Sequence, residues 1–320
     1  QIVWADEANL VNLASNPIYR DSNGNAFVKF EVTKANIKSG NAVIAVKKGN
    51  TIVWSWHLWF APKNALDKIP VTNYQGKVYN FTKETLGWKP TQWSGSTYDK
   101  ARTVKVKVAQ TIKNGGVAQE TVINITQNPG SVKQGATTLY QFGRKDAFPG
   151  TDTTPDGSFN QDGGDNMSVT NGIQHPETFY TWGSSWKNGY NQYNLWSMDN
   201  TTTGGNDNSV VKTIYDPCPA GFHMPASNAF TGFTTNGQFS GSKNVSGDWD
   251  YGWNFNNKIS SPDATVYFPV SGFRSINNGS LFIIGPDNNY EGCYWSAIPG
   301  FMENACHLYF TSGDVFPQYL

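Results

Sequence analysis

The chain predicts a mostly β protein in two domains: an antiparallel β-sandwich over residues 1–136, then an α+β domain with long loops over 137–320. Three observations carry this. Val104, Val106 and Val108 alternate with Lys105 and Lys107, the pattern of a strand with one wet face. Aromatic residues make up 14% of the chain and charged residues only 15%, with 32 glycines, a balance that suits strands, turns and packed loops better than disorder. Beyond Arg144, stretches rich in Gly, Asp, Asn and Thr separate the strand-like runs, and loops that long in a compact domain usually carry function.

In order, Ile2–Trp4 and Phe27–Val32 read as strands, the second with Val28, Phe30 and Val32 on a core-facing side. Ala42–Val46 follows, then Lys47-Lys-Gly-Asn50 as a hairpin signal and Thr51–Phe60. In that run Trp54, Trp56 and Leu58 share one face and Ser55, His57 and Trp59 the other, which predicts a strand covered on both sides. His57 reads as a strand histidine with a hydrogen-bond partner rather than as a ligand or base. Residues 62–98 read as irregular, anchored by Leu86-Gly-Trp88 and Trp93, and Arg102–Ala109 pairs with Val117–Thr126 across Asn114-Gly-Gly116. Asn128-Pro-Gly130 marks the boundary, and His175-Pro-Glu177 is a helix start. Later strands are expected at Val266–Val270, Ser280–Ile284, Cys293–Ala297 and Ala305–Phe310.

Lys and Arg together number 24, as do Asp and Glu. The zero net charge removes the simplest case for nucleic acid or an anionic membrane. No apolar run approaches the length that spans a bilayer, and no signal segment opens the chain. Three cysteines without Cys-x-x-Cys spacing do not suggest a zinc knuckle. The histidines, His57, His175, His223 and His307, sit in no His-Glu-x-x-His motif and beside no Gly-x-Ser-x-Gly elbow, so no enzyme is expected. Asp162-Gly-Gly-Asp-Asn166, Asn206-Asp-Asn208 and Asp287-Asn-Asn289 offer hard oxygen ligands, but none has EF-hand spacing and such runs are more often turns. No cofactor is therefore expected, calcium being the residual candidate.

The stretch that organises the chain is Lys212-Thr-Ile-Tyr-Asp-Pro-Cys-Pro-Ala-Gly-Phe-His-Met-Pro225. Pro217, Pro219 and Pro225 fix φ and withhold N–H groups, which makes a rigid extended corner. A helix follows, with Ser227 or Asn228 as its cap. With Tyr140-Gln-Phe-Gly-Arg-Lys-Asp-Ala-Phe-Pro-Gly150, Phe268-Pro-Val-Ser-Gly-Phe-Arg274 and Gly292-Cys-Tyr-Trp-Ser296, the corner resembles the Fibrobacter succinogenes major paralogous domain. That domain recurs in surface and fimbrial-tip proteins of Bacteroides-type bacteria. Gly40–Val46 and Ile52–Trp59 are similar to the upstream part of such proteins.

The resemblance implies a C-type lectin-like second domain. It also implies an extracellular, cell-surface or fimbrial-tip adhesin, with pilus or other surface subunits as partners and a glycan or protein as ligand. It favours Gln1 as an internal start, because similar proteins continue upstream. They usually end in a Gly-x-x-Val-Arg-Cys strand, so its absence implies a missing last strand, an open sheet edge and a Cys218 without its usual partner. The alternative is a structural pilus subunit that assembles by strand exchange.

Two sets of site residues follow from the sequence. Trp249 and Trp253, flanked by Asp248, Asp250 and Asn254, have the ring faces and polar groups that hold a ligand. A second aromatic-rich segment, Trp182–Trp196, has similar chemistry. Cys293 and Cys306 flank Pro299-Gly300 almost symmetrically, and a hairpin centred there would set them opposite one another. A disulfide closing that loop would stabilise by about 3 kcal/mol.

Overall fold

Ile2–Ala5 and Gly40–Lys48 pair antiparallel, and Gly40–Lys48 pairs in turn with Thr51–Phe60 through the expected hairpin. The fourth strand of this sheet is Asp156–Gly157, about 150 residues further along the chain than the first. Gly157 is at φ 79°, and a Cβ there would lie 2.1 Å from the Val3 carbonyl oxygen, so only glycine permits that approach. The computed structural model describes residues 1–90, 102–110, 116–127, 135–182, 194–198, 200–283, 290–300 and 305–319.

The chain is mostly β, and its two compact units are not 1–136 and 137–320. One unit comprises Gln1–Lys89 with Gln134–Leu320, and the other is Pro90–Lys133. The reason is the pairing just described, because the opening strand finds a partner beyond residue 136. Val71 and Phe81 likewise join a core of Phe230, Phe233, Phe255, Phe268 and Phe310. In the smaller unit, Arg102–Ala109 and Glu120–Gln127 pair over their full length, with Val106 opposite Ile123. Among the described strands, each pairs only with the other, in a two-stranded ribbon. Trp93, Asn114-Gly115 and Asn128-Pro-Gly130 lie outside the described residues.

The larger unit also holds two three-stranded antiparallel sheets. One is Val245–Ser246, Gly252–Asn256 and Thr265–Pro269; the other is Gly292–Pro299, Ala305–Phe310 and Val315–Tyr319. Gly292 is fixed by packing, since a Cβ there would meet the Phe310 ring at 2.1 Å. The last described residues, Val315–Tyr319, are an outer strand of this sheet, paired on one side with Ala305–Phe310. Ala26–Glu31 is the strand expected at Phe27–Val32, and it pairs with Asn12–Arg20, which the alternation pattern left unassigned; Lys68–Thr72 and Val78–Thr82 form a hairpin in the stretch read as irregular.

Several local expectations change. The cysteines are free, and Cys293 stands opposite Tyr309, not Cys306. The turn is centred beyond Gly300, because Pro299 pairs with Ala305, and the register slides past the pairing that a disulfide needs. The helix near His175 is Val169–Gln174, which ends there instead of beginning. Ser168 caps it, its Oγ accepting from the Asn171 N–H at 3.0 Å. After the corner a 3₁₀ helix spans Ser227–Phe233 without a side-chain cap. Ser227 Oγ instead donates to the Gly204 carbonyl at 2.9 Å, and Asn228 Nδ2 donates to Asp207 at 2.7 Å. Phe30 is exposed rather than packed, and Trp56 is 41% exposed, so strand 51–60 is not covered on both faces.

Candidate functional site

The proline corner is a structural device. Asp216, whose side chain is fully buried, accepts from the N–H groups of Cys218 and Met224, both at 2.8 Å. Lys212 Nζ donates to the same carboxylate at 2.7 Å and to the Cys218 carbonyl at 2.7 Å. One charged pair therefore replaces the backbone hydrogen bonds that the prolines cannot make. Gly221, at φ 84°, lets the loop close. Cys218 Sγ lies 3.6 Å from Met224 Sδ, and burial, then the neighbouring Asp216, pushes its thiol well up. Burial pushes Cys293 up to about 12 and Cys306 up to about 11. Three protonated thiols are poor nucleophiles and poor metal ligands at neutral pH.

The other polar clusters of the larger unit also hold structure together. His57 Nε2 lies 3.0 Å from Asn41 Oδ1, and its Nδ1 lies 3.0 Å from the Tyr140 hydroxyl. Burial lowers its pKa to about 3, so at neutral pH the ring is an uncharged bridge and no general base, as the strand pattern anticipates. Buried Asp146 accepts from Arg144 at 3.1 Å, Lys145 at 2.7 Å and Ser55 at 2.8 Å. Burial alone would raise this carboxyl; the charges of Arg144 and Lys145 outweigh it and hold the group below its usual range. Arg274, at the end of the Phe-Pro-Val-Ser-Gly-Phe-Arg run, donates to the carbonyls of Pro149, Thr151 and Gly279.

The acidic runs have comparable employment. Asp207 accepts from Asn73 at 2.8 Å, Tyr79 at 2.5 Å and Asn228 at 2.7 Å, which ties hairpin 68–82 to the 3₁₀ helix. Asp162 accepts from the Gly164 N–H at 3.1 Å and Thr181 Oγ1 at 2.7 Å. These are turn and anchor interactions of Asx residues. Among the described residues, no three His, Cys, Asp or Glu side chains converge as metal ligands; Asp287-Asn-Asn289 lies outside them.

The predicted ring platform is core. Trp253 is 6% exposed and donates its Nε1–H to the Thr311 carbonyl at 2.9 Å. Trp249 is half-buried, edge-to-face with Trp253 at 5.2 Å between centroids. Alternation in Gly252–Asn256 explains this, because Trp253 and Phe255 point inward together. Asp248 and Asp250 are exposed and Asn254 is half-buried at the edge of this platform.

A large concavity among the described residues lies elsewhere in the larger unit. A cleft of about 1690 Å³ is bordered by the corner from Cys218 to Ala226, by Trp182 and its neighbour Ile276, and by the sheet 292–319. None of Asp248, Trp249, Asp250, Trp253 and Asn254 lines it. Trp182 is 62% exposed at φ 65°, a left-handed backbone unusual for a bulky residue, and its N–H donates to the Ile276 carbonyl at 2.7 Å. Such a conformation costs about 1–2 kcal/mol, which the hydrogen bond helps to offset while the ring stands in the cleft mouth. Trp186, Tyr190 and Tyr193 of that segment lie outside the described residues, and Trp196 is fully buried.

Along the sheet, Trp295, His307, Tyr319, Tyr309 and Phe316 form a continuous strip of rings. Successive centroids lie 5.1, 5.2, 5.1 and 5.6 Å apart. The strip exists because Trp295 pairs with His307, His307 with Tyr319, and Tyr309 with Phe316. A register shift between the last two pairings puts Phe316 and Tyr319 on one face, although they are three residues apart. The alternation of His307 and Tyr309 against buried Cys306, Leu308 and Phe310 was a usable sequence signal for half of this strip. The bulge at Pro317 hid the other half. Compared with protein-family models, with curated proteins and with solved structures, the chain finds no match in any of the three.

Proposed function

We propose that this chain is an extracellular, cell-surface adhesin of the fimbrial-tip type, and that it binds its ligand noncovalently in the ring-lined cleft. The observation that carries the reading is that cleft, with an exposed, strained Trp182 at its mouth and a strip of aromatic rings along one side. Pockets that orient ligands combine apolar walls with a few polar groups, and strained backbone concentrates at functional sites. The motif resemblance supplies the cell-surface setting, the pilus or surface-subunit partners and the lectin-like arrangement of the later half. Protonated thiols and an uncharged, doubly bonded His57 suit binding better than covalent chemistry.

The test is adhesion of beads carrying the full chain to mucin-coated and fixed-bacteria-coated surfaces, with Trp182→Ala as the variant. Saturable adhesion that weakens about tenfold or more in the variant is expected. Undiminished adhesion by Trp182→Ala would take the site out of the cleft mouth.

One observation favours the alternative, a structural subunit that assembles by strand exchange. The ribbon of residues 102–127 presents Val104, Val106, Val108, Ile123 and Ile125 on one exposed face, Val104 at 61% and Ile125 at 57%. A two-stranded ribbon is marginal without cover. Concentration-dependent polymerisation of the purified chain, abolished by Val104→Lys with Ile125→Lys, would support that reading.

A further inference from the structure

We infer that the ring strip on the sheet 292–319 binds a neutral oligosaccharide, laid across the three strands from Trp295 through His307 to Tyr319. This rests on the adhesin reading and names its ligand class. Ring faces carry negative charge density and attract the polarised C–H bonds of a sugar face. The strip supplies one ring per strand, with centroid steps of 5.1 and 5.2 Å, about the length of one pyranose unit; neighbouring rings are inclined at 63° and 74°, so faces that attract C–H bonds alternate with electropositive edges that suit hydroxyl oxygens. Trp295 is held in place by its Nε1–H, which donates to the Tyr140 carbonyl at 2.8 Å, so the strip is ordered before any ligand arrives. Tyr319, on the outer strand, is 45% exposed.

Polar groups at the border match hydroxyls. Glu291 accepts from the Tyr309 hydroxyl at 3.0 Å and keeps further lone pairs for sugar hydroxyls. Glu291 and Asp314 line the cleft beside this sheet; Lys68, Lys77 and Arg274 line it from other elements, where Lys77 and Arg274 donate to backbone carbonyls and Lys68 lies over the Phe222 ring. From Ser275 to Leu320 the sequence contains neither Lys nor Arg. A sulfated, phosphorylated or sialylated ligand laid on these strands would meet two carboxylates and no cation from the strands themselves, which costs binding. A peptide added as an extra strand beside Val315–Tyr319, one of the sheet's two outer members, is disfavoured. Val315–Tyr319 carries Pro317, which has no N–H, and its Gln318 side chain is bonded to Asn228.

The test uses the full chain on an array of immobilised neutral hexasaccharides of glucose, mannose, xylose and galactose, with heparin as the anionic control. The same adhesive surfaces are treated with periodate, which cleaves sugar diols, or with protease. Binding to at least one neutral hexasaccharide is expected, with loss of adhesion after periodate and little loss after protease. Tyr319→Ala is expected to weaken that binding about tenfold or more, and Tyr319→Phe, which keeps the ring, less than about threefold. Preference for heparin, or adhesion lost to protease and not to periodate, would overturn the oligosaccharide inference while leaving an adhesin. Equal effects of Tyr319→Ala and Tyr319→Phe would remove the ring strip as the site. No adhesion to any surface would overturn the adhesin reading itself.

Discussion

Residues 248–254 and 292–319 are built from the same materials, rings on short antiparallel strands with carboxylates beside them, yet they are placed in opposite ways. In the first, Trp253 faces the phenylalanine core and its indole N–H is used up on Thr311. In the second, the inward positions are already filled by Leu308, Phe310 and Val315, so His307, Tyr309, Phe316 and Tyr319 fall on the outer face. An aromatic residue's role is therefore decided by which side of its strand the core occupies. Neighbouring Asp or Gly residues do not decide it. The contrast predicts that changes in the first segment cost stability and changes in the second cost binding.

The largest expected effect is on stability. Trp253→Ala should lower it by about 3–5 kcal/mol, the usual loss for a buried large aromatic, read as a shift of the urea midpoint. A small shift would break the comparison, since it would mean that Trp253 is not core. Asp146→Ala should cost about 3 kcal/mol or more, because it strands the charges of Arg144 and Lys145 in the interior. Neither of these groups is near the ring strip in sequence, and binding by the folded variant should persist.

The pH dependence is a smaller effect with a defined sign. His57 is neutral in the folded chain, with a pKa of about 3, and the unfolded chain binds its proton below about pH 6.5. Its contribution is complete above that value and is lost as pH falls toward 3, at up to about 1.4 kcal/mol per pH unit. Asp146, held below its usual range, adds a loss at still lower pH. Urea unfolding at pH 7, 6, 5 and 4 should show the decline, and His57→Gln should flatten its upper part. Smallest of all, Tyr319→Ala should change stability by less than about 1 kcal/mol, as partly exposed surface residues do.

Much of the β structure was legible wherever polar and apolar residues alternate. Ala305–Phe310 and the pairing of the ribbon strands are as the pattern predicts. Strands with a proline in their interior were not legible. Asn12–Arg20, Lys68–Thr72 and Val315–Tyr319 hold Pro17, Pro70 and Pro317, and proline ordinarily argues against a strand. In the first and last of these a register irregularity accommodates it. Long-range partnership was also hidden, because nothing local in Ile2–Ala5 announces a partner at 156–157. The same limit misplaced the site: Trp253 and Tyr319 look alike until the packing around each strand is known.

The most direct test compares the two segments on one adhesive surface, using Tyr319→Ala against Asp248→Ala and Trp249→Phe in the full chain. Dissociation constants are measured by surface plasmon resonance after circular dichroism has shown each variant folded. The account predicts a loss of about tenfold or more for Tyr319→Ala and a change within about twofold for the other two. Unchanged affinity in Tyr319→Ala, with a large loss in Asp248→Ala or Trp249→Phe, would return the site to residues 248–254 and contradict the account.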